Sequence, residues 1–450
     1  MSNIGFKAKL ASTIALSSAA IYLLLTTDLS NYSLANTQLT NLISETGQTN
    51  FLSSKSSKEK HIQREFVEFA ARYGKTYASR DHHQSKYETF KENYLKIQEH
   101  NQKPNKSYEL GVNKFSDMTE EEFMKTFGTL QEHGEEYEKL KFSLKSEKSD
   151  NKKFRLTDRP HHYNTTNQDE QEQQKKKQEA NAKKERYQCS HDEEDHYYFD
   201  YNDYDFIDDL PKCKSIDWIK KGKVGIPKDQ STCGSCWAHS TLASVETLYA
   251  IENNIQNRSE VPSFSEQQLV DCNFIPNLGC IGGRRQFSFN YTLQEGATLA
   301  SNYPYQNKQN YCTYKKETDN FYQISAFKAF EKINNADLEK LVCQGTVSIS
   351  IRINDCIKNY KSGVLYDGDG SCGCSKIKST NHAVAIVGFG RDEENPVCQD
   401  YWVIKNSWGP GWGEEGFMRL CREDSQIDNG TCNIRQEPMI ALQTNPNQNQ

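Results

Sequence analysis

The placement of its cysteines constrains this chain more than any other feature. Of 14 cysteines, all but Cys189 lie from residue 210 onward, which leaves an odd number in that part. In a reducing compartment such a set suggests metal or redox chemistry, and in an oxidising one it reads as a disulfide framework with one thiol left over. The N-terminus favours the oxidising case. Lys7 and Lys9 precede an apolar run of 16 residues, 10–25, rich in Leu, Ile, Ala and Ser. That run falls short of the roughly 20 residues a membrane span needs. Ser33-Leu34-Ala35 sets small residues three and one before a cut, as secretory signals do. Residues 1–35 are therefore expected to be a cleaved signal peptide, with an uncleaved signal anchor as the alternative. The rest of the chain would follow the secretory route, to a lysosome or vacuole or outside the cell. Asn-X-Ser/Thr triplets at Asn105, Asn164, Asn257, Asn290 and Asn429 fit a glycoprotein, although such triplets also arise by chance.

Hydrophobic residues make up 35% of the chain and charged ones 26%, with a mean hydropathy of -0.87. That is polar for a packed enzyme, so non-core segments must dilute an ordinary core. The net charge is -6 and the basic residues are scattered, which argues against a nucleic-acid partner. Residues 58–127 show helical spacing in Phe66, Phe69 and Tyr73 and again in Phe90, Tyr94 and Ile97, with breaks at Pro104 and Gly111. Residues 131–209 differ. The stretch 170–186 is charged and of low complexity, and 192–209 holds nine acids and six aromatics. Neither can bury enough surface to fold alone, so both read as solvated linker. His191 and His196 near Cys189 fit no standard metal spacing. From 210 on, helical patterns run to about 300, including 236–253. Segments 346–353, 383–389, 401–405 and 417–421 then read as strands. Helices followed by strands indicate an α+β fold of two facing lobes.

Cys233 and Cys236 form a Cys-X-X-Cys pair. A zinc site would need a second pair at metal-like spacing, and Cys272 with Cys280 is poorly spaced for that. A redox dithiol lacks the strand-turn-helix surroundings of a thioredoxin unit. The third reading makes one cysteine structural and the other a nucleophile, and the odd count favours it. Cys236 sits where a helix begins, and the helix dipole with its unpaired N–H groups stabilises a thiolate there. A neighbouring histidinium would lower the thiol pKa further, to roughly 3.5 to 7.5.

The run Gln230-Ser-Thr-Cys-Gly-Ser-Cys236-Trp237 resembles the nucleophile motif of papain-like cysteine peptidases. Other stations of that family come after it in order. They are Asp271-Cys272, Gly279-Cys280-Ile-Gly282-Gly283, Tyr303-Pro-Tyr305 with Tyr311-Cys312, Asn381-His382-Ala383-Val384, and Lys405-Asn406-Ser407-Trp408-Gly409. Upstream, Phe90, Asn93, Ile97 and Asn101 match the family's helical prosegment spacing, and 111–117 matches its second prosegment motif. His82 and Lys86 depart from it. Together these resemble the cathepsin L-like branch.

The resemblance implies a two-lobed papain-like fold, with a helical lobe at 210–325 and a lobe built on an antiparallel β-barrel at 326–445. A helical inhibitory prodomain at 36–130 and the linker at 131–209 would be removed together, near Leu210-Pro211. It implies a cysteine endopeptidase acting on protein or peptide substrates. Cys236 would be the nucleophile, forming an acyl-enzyme that water hydrolyses. His382 would be its general base and acid, Asn406 would orient the imidazole, and Gln230 would donate to the oxyanion. Trp408 would shield the His382–Asn406 bond. His239, three residues after Cys236 where relatives have an aromatic, is the rival imidazole. Gly282 and Gly283 would leave room for an extended substrate strand. Arg284, Arg285 and Glu437 would line the pocket for the second residue before the scissile bond, where an Arg–Glu pair could cancel any charge preference. Implied disulfides are Cys233–Cys280, Cys272–Cys312, and Cys432 with Cys372 or Cys374. Beyond the family set, Cys398 and Cys421 flank a hairpin and could bridge it. No metal or organic cofactor is implied, and a monomer with its own propeptide as inhibitor is expected. Two other readings stay open: a binding protein on the same fold with impaired turnover, and a peptide ligase. The acidic linker could sense pH or could be a neutral spacer.

Overall fold

The computed structural model describes residues 49–127, 204–274, 277–422 and 428–443, with side chains described from 57 and 205 onward in the first two stretches. The expected signal segment, most of the charged linker and the His191/His196 group lie outside the described residues. Among those described, no helix is long and apolar enough to cross a membrane.

The aromatic spacing upstream builds a helical hairpin. Helix α1 (Thr49–Arg72) crosses α2 (Arg80–Asn101), where Phe66 and Phe69 pack on Phe90 with ring centroids 5.2 and 4.9 Å apart. Ser79 caps α2 by accepting from the His82 N–H. The polar residues at the same spacing tie down the chain beyond the hairpin. Asn93 Nδ2 donates to the Ser116 and Met118 carbonyls, both at 3.0 Å, and Asn101 clasps Leu110 through its N–H and its carbonyl. Strand β1 (Tyr108–Leu110) precedes α3 (Glu120–Phe127). The sequence pattern did not predict β1. Three residues give no local period, and its partner lies some 250 residues away.

Downstream run α4 (Tyr204–Asp208), β2 (Ile216–Asp217), α5 (Cys236–Glu252), α6 (Glu266–Cys272) and α7 (Arg285–Glu295). After them come α8 (Lys316–Asp319), β3 (Ala326–Ala329), α9 (Asn335–Gln344), β4 (Val347–Ile351), α10 (Asp355–Lys358) and β5 (Tyr360–Leu365). Strands β6 (His382–Arg391), β7 (Asp400–Lys405), β8 (Phe417–Cys421) and β9 (Met439–Leu442) complete the chain. The strand order is β1-β5-β8-β7-β6-β4-β9-β3, with β2 paired to β6. All pairs are antiparallel except β5 with β8. The mixture is α+β, as expected. The prosegment strand β1 extends one sheet edge, and Gly363 makes that possible. Its φ is +92°, and a Cβ there would stand 2.7 Å from the Tyr108 Cα.

Beyond the core of the helical hairpin, two larger apolar cores form among the described residues. One gathers Phe264, Leu269, Phe289 and Trp237 around the downstream helices. The other gathers Ile349, Ile386, Trp402, Ile404 and Leu420 on the sheet, and takes in Phe115, Phe123 and Phe127 from the prosegment. Helix α5 is buried along almost its whole length, and its polar side chains are buried with partners, Ser240 on the Val384 carbonyl, Ser244 on the Thr346 carbonyl and Glu246 on Lys228. Among the described residues six disulfides form: Cys213–Cys343, Cys233–Cys280, Cys272–Cys312, Cys356–Cys372, Cys374–Cys432 and Cys398–Cys421. Cys374, not Cys372, is the partner of Cys432. The boundary placed at 209/210 falls within packed structure, because α4 buries Ile207 to 1% exposure. Asn429 is 6% exposed, so its triplet offers a glycan no access, whereas Asn105 and Asn257 are exposed.

Candidate active site

Among the described residues Cys236 is the free cysteine, and it is buried. It opens α5. Ser235 precedes it without capping the helix, since its hydroxyl bonds the Tyr305 hydroxyl at 2.7 Å instead. The N–H groups of Cys236 and Trp237 therefore meet no side-chain cap that would compete for them, whereas those of Ala238 and His239 donate to the Ser235 carbonyl. The backbone amides of Ala383, Trp237 and Cys236 itself act on the thiol. Cys233, three residues away, is spent in its bridge to Cys280.

His382 comes to this place by strand register. It opens β6, whose Ala385 pairs with Lys405 of β7. Continuing that antiparallel register sets residue 384 opposite 406, so His382 and Asn406 are diagonal neighbours on one face. His382 Nε2 bonds Asn406 Oδ1 at 2.9 Å. An amide oxygen only accepts, so Nε2 carries the hydrogen and Nδ1 keeps its lone pair. Nδ1 is buried without a hydrogen-bond partner. Asn406 Oδ1 is fixed in turn by the Ser407 N–H at 2.8 Å. The Trp408 ring lies over the imidazole with centroids 4.8 Å apart.

Gln230 is fully buried. Its Nε2 donates to the Cys233 carbonyl at 2.9 Å and its Oε1 accepts from the Ser407 hydroxyl at 2.6 Å. One amide hydrogen remains beyond that bond to Cys233. Gly283 cannot carry a side chain, since a Cβ would meet Trp237 at 2.8 Å and Asn277 Oδ1 at 2.6 Å. Gly282 has φ +144°, which L side chains rarely adopt. Arg284 donates its backbone N–H to Asn277 Oδ1. Its neighbour Arg285 is 3% exposed, bonds the Glu437 carbonyl at 2.7 Å and pairs with its carboxylate at 3.5 Å. His239 faces elsewhere. Its Nδ1 donates to the Ser235 carbonyl at 3.0 Å and its ring meets Tyr305 edge-on.

The prosegment covers this group. Phe115, Phe123 and Phe127 surround Trp408, with centroids 5.2 to 5.6 Å from its own, and the Phe127 backbone acts on His382. Burial pushes the Cys236 thiol up to about 11, against the opposing pull of the Ala383 amide. Burial likewise pushes His382 down to about 4, although the Asn406 bond opposes it. Both shifts favour the uncharged forms, thiol and neutral imidazole, in this covered chain. The low thiol pKa expected from the helix start alone is overridden, because the desolvation of a charge outweighs the dipole.

Sequence reasoning missed a buried charge cluster under the site. Lys228 Nζ reaches Glu246 at 2.7 Å and Glu266 at 2.6 Å, and Lys405 reaches Glu246 at 3.5 Å. With His239 and Asn406 they line a cavity of about 20 Å³, room for about one water. The available signal was Glu246, whose charge falls among the buried positions of α5. Asp367, Cys372 and Cys374 also lie close together. Both sulfurs are in disulfides, and Asp367 accepts from the backbone of Gly373 and Ser375, so the group is a loop clasp.

Residues 212–442 match the family described as papain family cysteine protease, and 66–123 match the cathepsin propeptide inhibitor domain (I29). The chain is 36% identical over 236 residues to germination-specific cysteine protease 1 of Arabidopsis thaliana, covering 52% of this chain and 58% of that protein. It is 30% identical over 395 residues to a cysteine proteinase of Theileria parva, covering 87% of this chain and 75% of that one. Digestive procathepsin L 3 of Tenebrio molitor larval midgut has a similar structure, with a TM-score of 0.59 and 27% identity. That likeness covers 84% of this chain and 98% of that chain.

Proposed function

The chain belongs to the papain family of cysteine proteases, and from that premise we propose that it is the latent form of an endopeptidase whose nucleophile is Cys236. The observation that carries the reading is an imidazole held at Nε2 by Asn406, with Nδ1 buried and unpartnered, beside a chain of paired cysteines that leaves only Cys236 free among the described residues. Once the prosegment leaves, water and substrate reach the site. The thiol proton passes to His382 Nδ1, and thiolate and imidazolium hold each other. The sulfur attacks a peptide carbonyl. The oxyanion takes hydrogen bonds from the Cys236 N–H and the spare Gln230 amide hydrogen. His382 then protonates the leaving amine, and water attacks the thioester with His382 as base.

The I29 domain makes this chain its own inhibitor, and on this reading the charged stretch between it and the activating cut leaves with it. The enzyme acts as a monomer on protein and peptide chains. Its six disulfides support assembly on the secretory route, ending in a lysosome or vacuole or outside the cell. At the pocket for the second residue before the cut, the Arg285–Glu437 pair satisfies both charges. Polar and charged residues are therefore tolerated there. A positional peptide library with strict Leu or Phe preference would contradict that.

A thiol-directed epoxide probe tests the main reading after acid processing. Stoichiometric labelling of Cys236 with peptide hydrolysis, both abolished in Cys236→Ser, is expected. Labelling without turnover would indicate a binding protein, and products joined by new peptide bonds would indicate a ligase.

A further inference from the structure

Residues ahead of the expected processing point are packed into the sheet core. Helix α4 places Ile207 in the same buried apolar core as Phe330, Leu338 and Leu341. The Ile207 carbonyl accepts twice, from Lys340 Nζ and from the Leu210 N–H, each at 3.1 Å. Lys340 also reaches Asp208 at 3.6 Å, and the Lys328 ammonium stands 5.4 Å from the Phe206 ring centre. Further along, Cys213 is bonded to Cys343 at the end of α9, and Gln344 Nε2 donates to the Pro211 carbonyl at 3.5 Å. The stretch 205–213 is thus held at one end by a buried side chain and at the other by a covalent bond.

A peptidase takes its substrate as an extended strand with several residues on each side of the scissile bond. A cut near Leu210-Pro211 would have to engage about 206–213. That requires unwinding α4, drawing Ile207 out of the core and seating a residue that Cys343 tethers. Pro211 adds a missing N–H just past the bond. Cleavage of folded chains follows the population of locally opened forms, and buried, cross-linked segments open least.

We infer that residues 204–210 stay on the mature enzyme as a docked arm, and that the activating cut falls N-terminal to Tyr204. This deepens the peptidase reading and rests on it. In the step, water adds across one peptide C–N bond. The upstream fragment leaves with a new carboxylate, and the enzyme keeps a new α-amino group ahead of the arm.

The full-length zymogen is processed at acid pH, and the species labelled at Cys236 by the epoxide probe is measured by intact mass and N-terminal sequencing. An N-terminus at or before Tyr204 is expected, and Ile207→Asp should add shorter species that begin within 205–212. Should Ile207→Asp fail to fold, Lys340→Met, which removes both Lys340 contacts to the arm, is expected to give the same shorter species. A wild-type N-terminus within 205–213 overturns the arm. Absence of labelling counts against the peptidase reading instead. The arm is then decided by digesting the Cys236→Ala zymogen with an added endopeptidase under native conditions. Survival of the bonds in 205–213 while upstream bonds are cut supports the arm, and cutting inside 205–213 overturns it.

Discussion

At the scale of the residue, Gln230 is proposed to combine support with chemistry. Its bonds to Cys233 and Ser407 fix the amide, so its spare hydrogen is aimed before substrate arrives. Gln230→Ala should lower kcat by about 10²- to 10³-fold, the usual loss for one oxyanion donor. Epoxide labelling of Cys236 should persist, and loss of labelling would mean that the substitution had disrupted the site. Gly283→Ala should cost about 1–3 kcal/mol by overpacking against Trp237, read as a lower denaturant midpoint. The residues proposed to carry chemistry stand out in the sequence for a physical reason. A leftover thiol, a helix start and a fixed motif each narrow the choice of residue type, which singled out Cys236, and the flanking motifs singled out His382 and Asn406. Cys374 as partner of Cys432 was not legible, since two cysteines separated by one residue compete for one sulfur and only the folded loop decides.

At the scale of the element, the helices and long strands could be read from periodicity, whereas the contacts that join them could not. The buried cluster draws Lys228 from a loop, Glu246 from α5, Glu266 from α6 and Lys405 from β7, and no local pattern links those four. Despite burial, the Lys228 and Lys405 ammonium groups hold the Glu246 carboxyl below its usual range. A lowered carboxylate stabilises the fold above its unfolded pKa of about 4.3, and that contribution is lost as pH falls through the lower folded value. Glu246→Gln should cost about 3–5 kcal/mol at neutral pH, because it strands the buried Lys405 ammonium and takes one of two carboxylates from Lys228. It should also flatten the fall of stability below about pH 4.3. Equilibrium unfolding across pH checks both. On the prosegment, α3 inserts Phe123 against Trp408. Phe123→Ala should remove about 3–5 kcal/mol of packing, so the uncut zymogen should label with the epoxide at neutral pH while wild type resists.

At the scale of the whole molecule, the proposed mechanism makes latency a matter of where one proton sits. Covered, the pair holds it on sulfur. Uncovered, the same proton sits on the imidazole. The count is unchanged, so the exchange alone gives release no pH dependence. The covered chain does carry its own pH window. Between about pH 6.5 and 4 an unfolded imidazole would bind a proton that buried His382 refuses. Stability should therefore fall by up to roughly 3 kcal/mol as pH drops across that range. A buried thiol raised toward 11 acts at the other end, where stability falls as pH rises above about 8.5. The most direct test is a pH titration of the Cys236 thiolate, by ultraviolet absorbance or alkylation rate, in the uncut chain and after processing. The account predicts that the uncut chain shows thiolate only as pH nears 11, and that the processed enzyme shows it below about pH 7.5. One alkaline midpoint shared by both forms would contradict it.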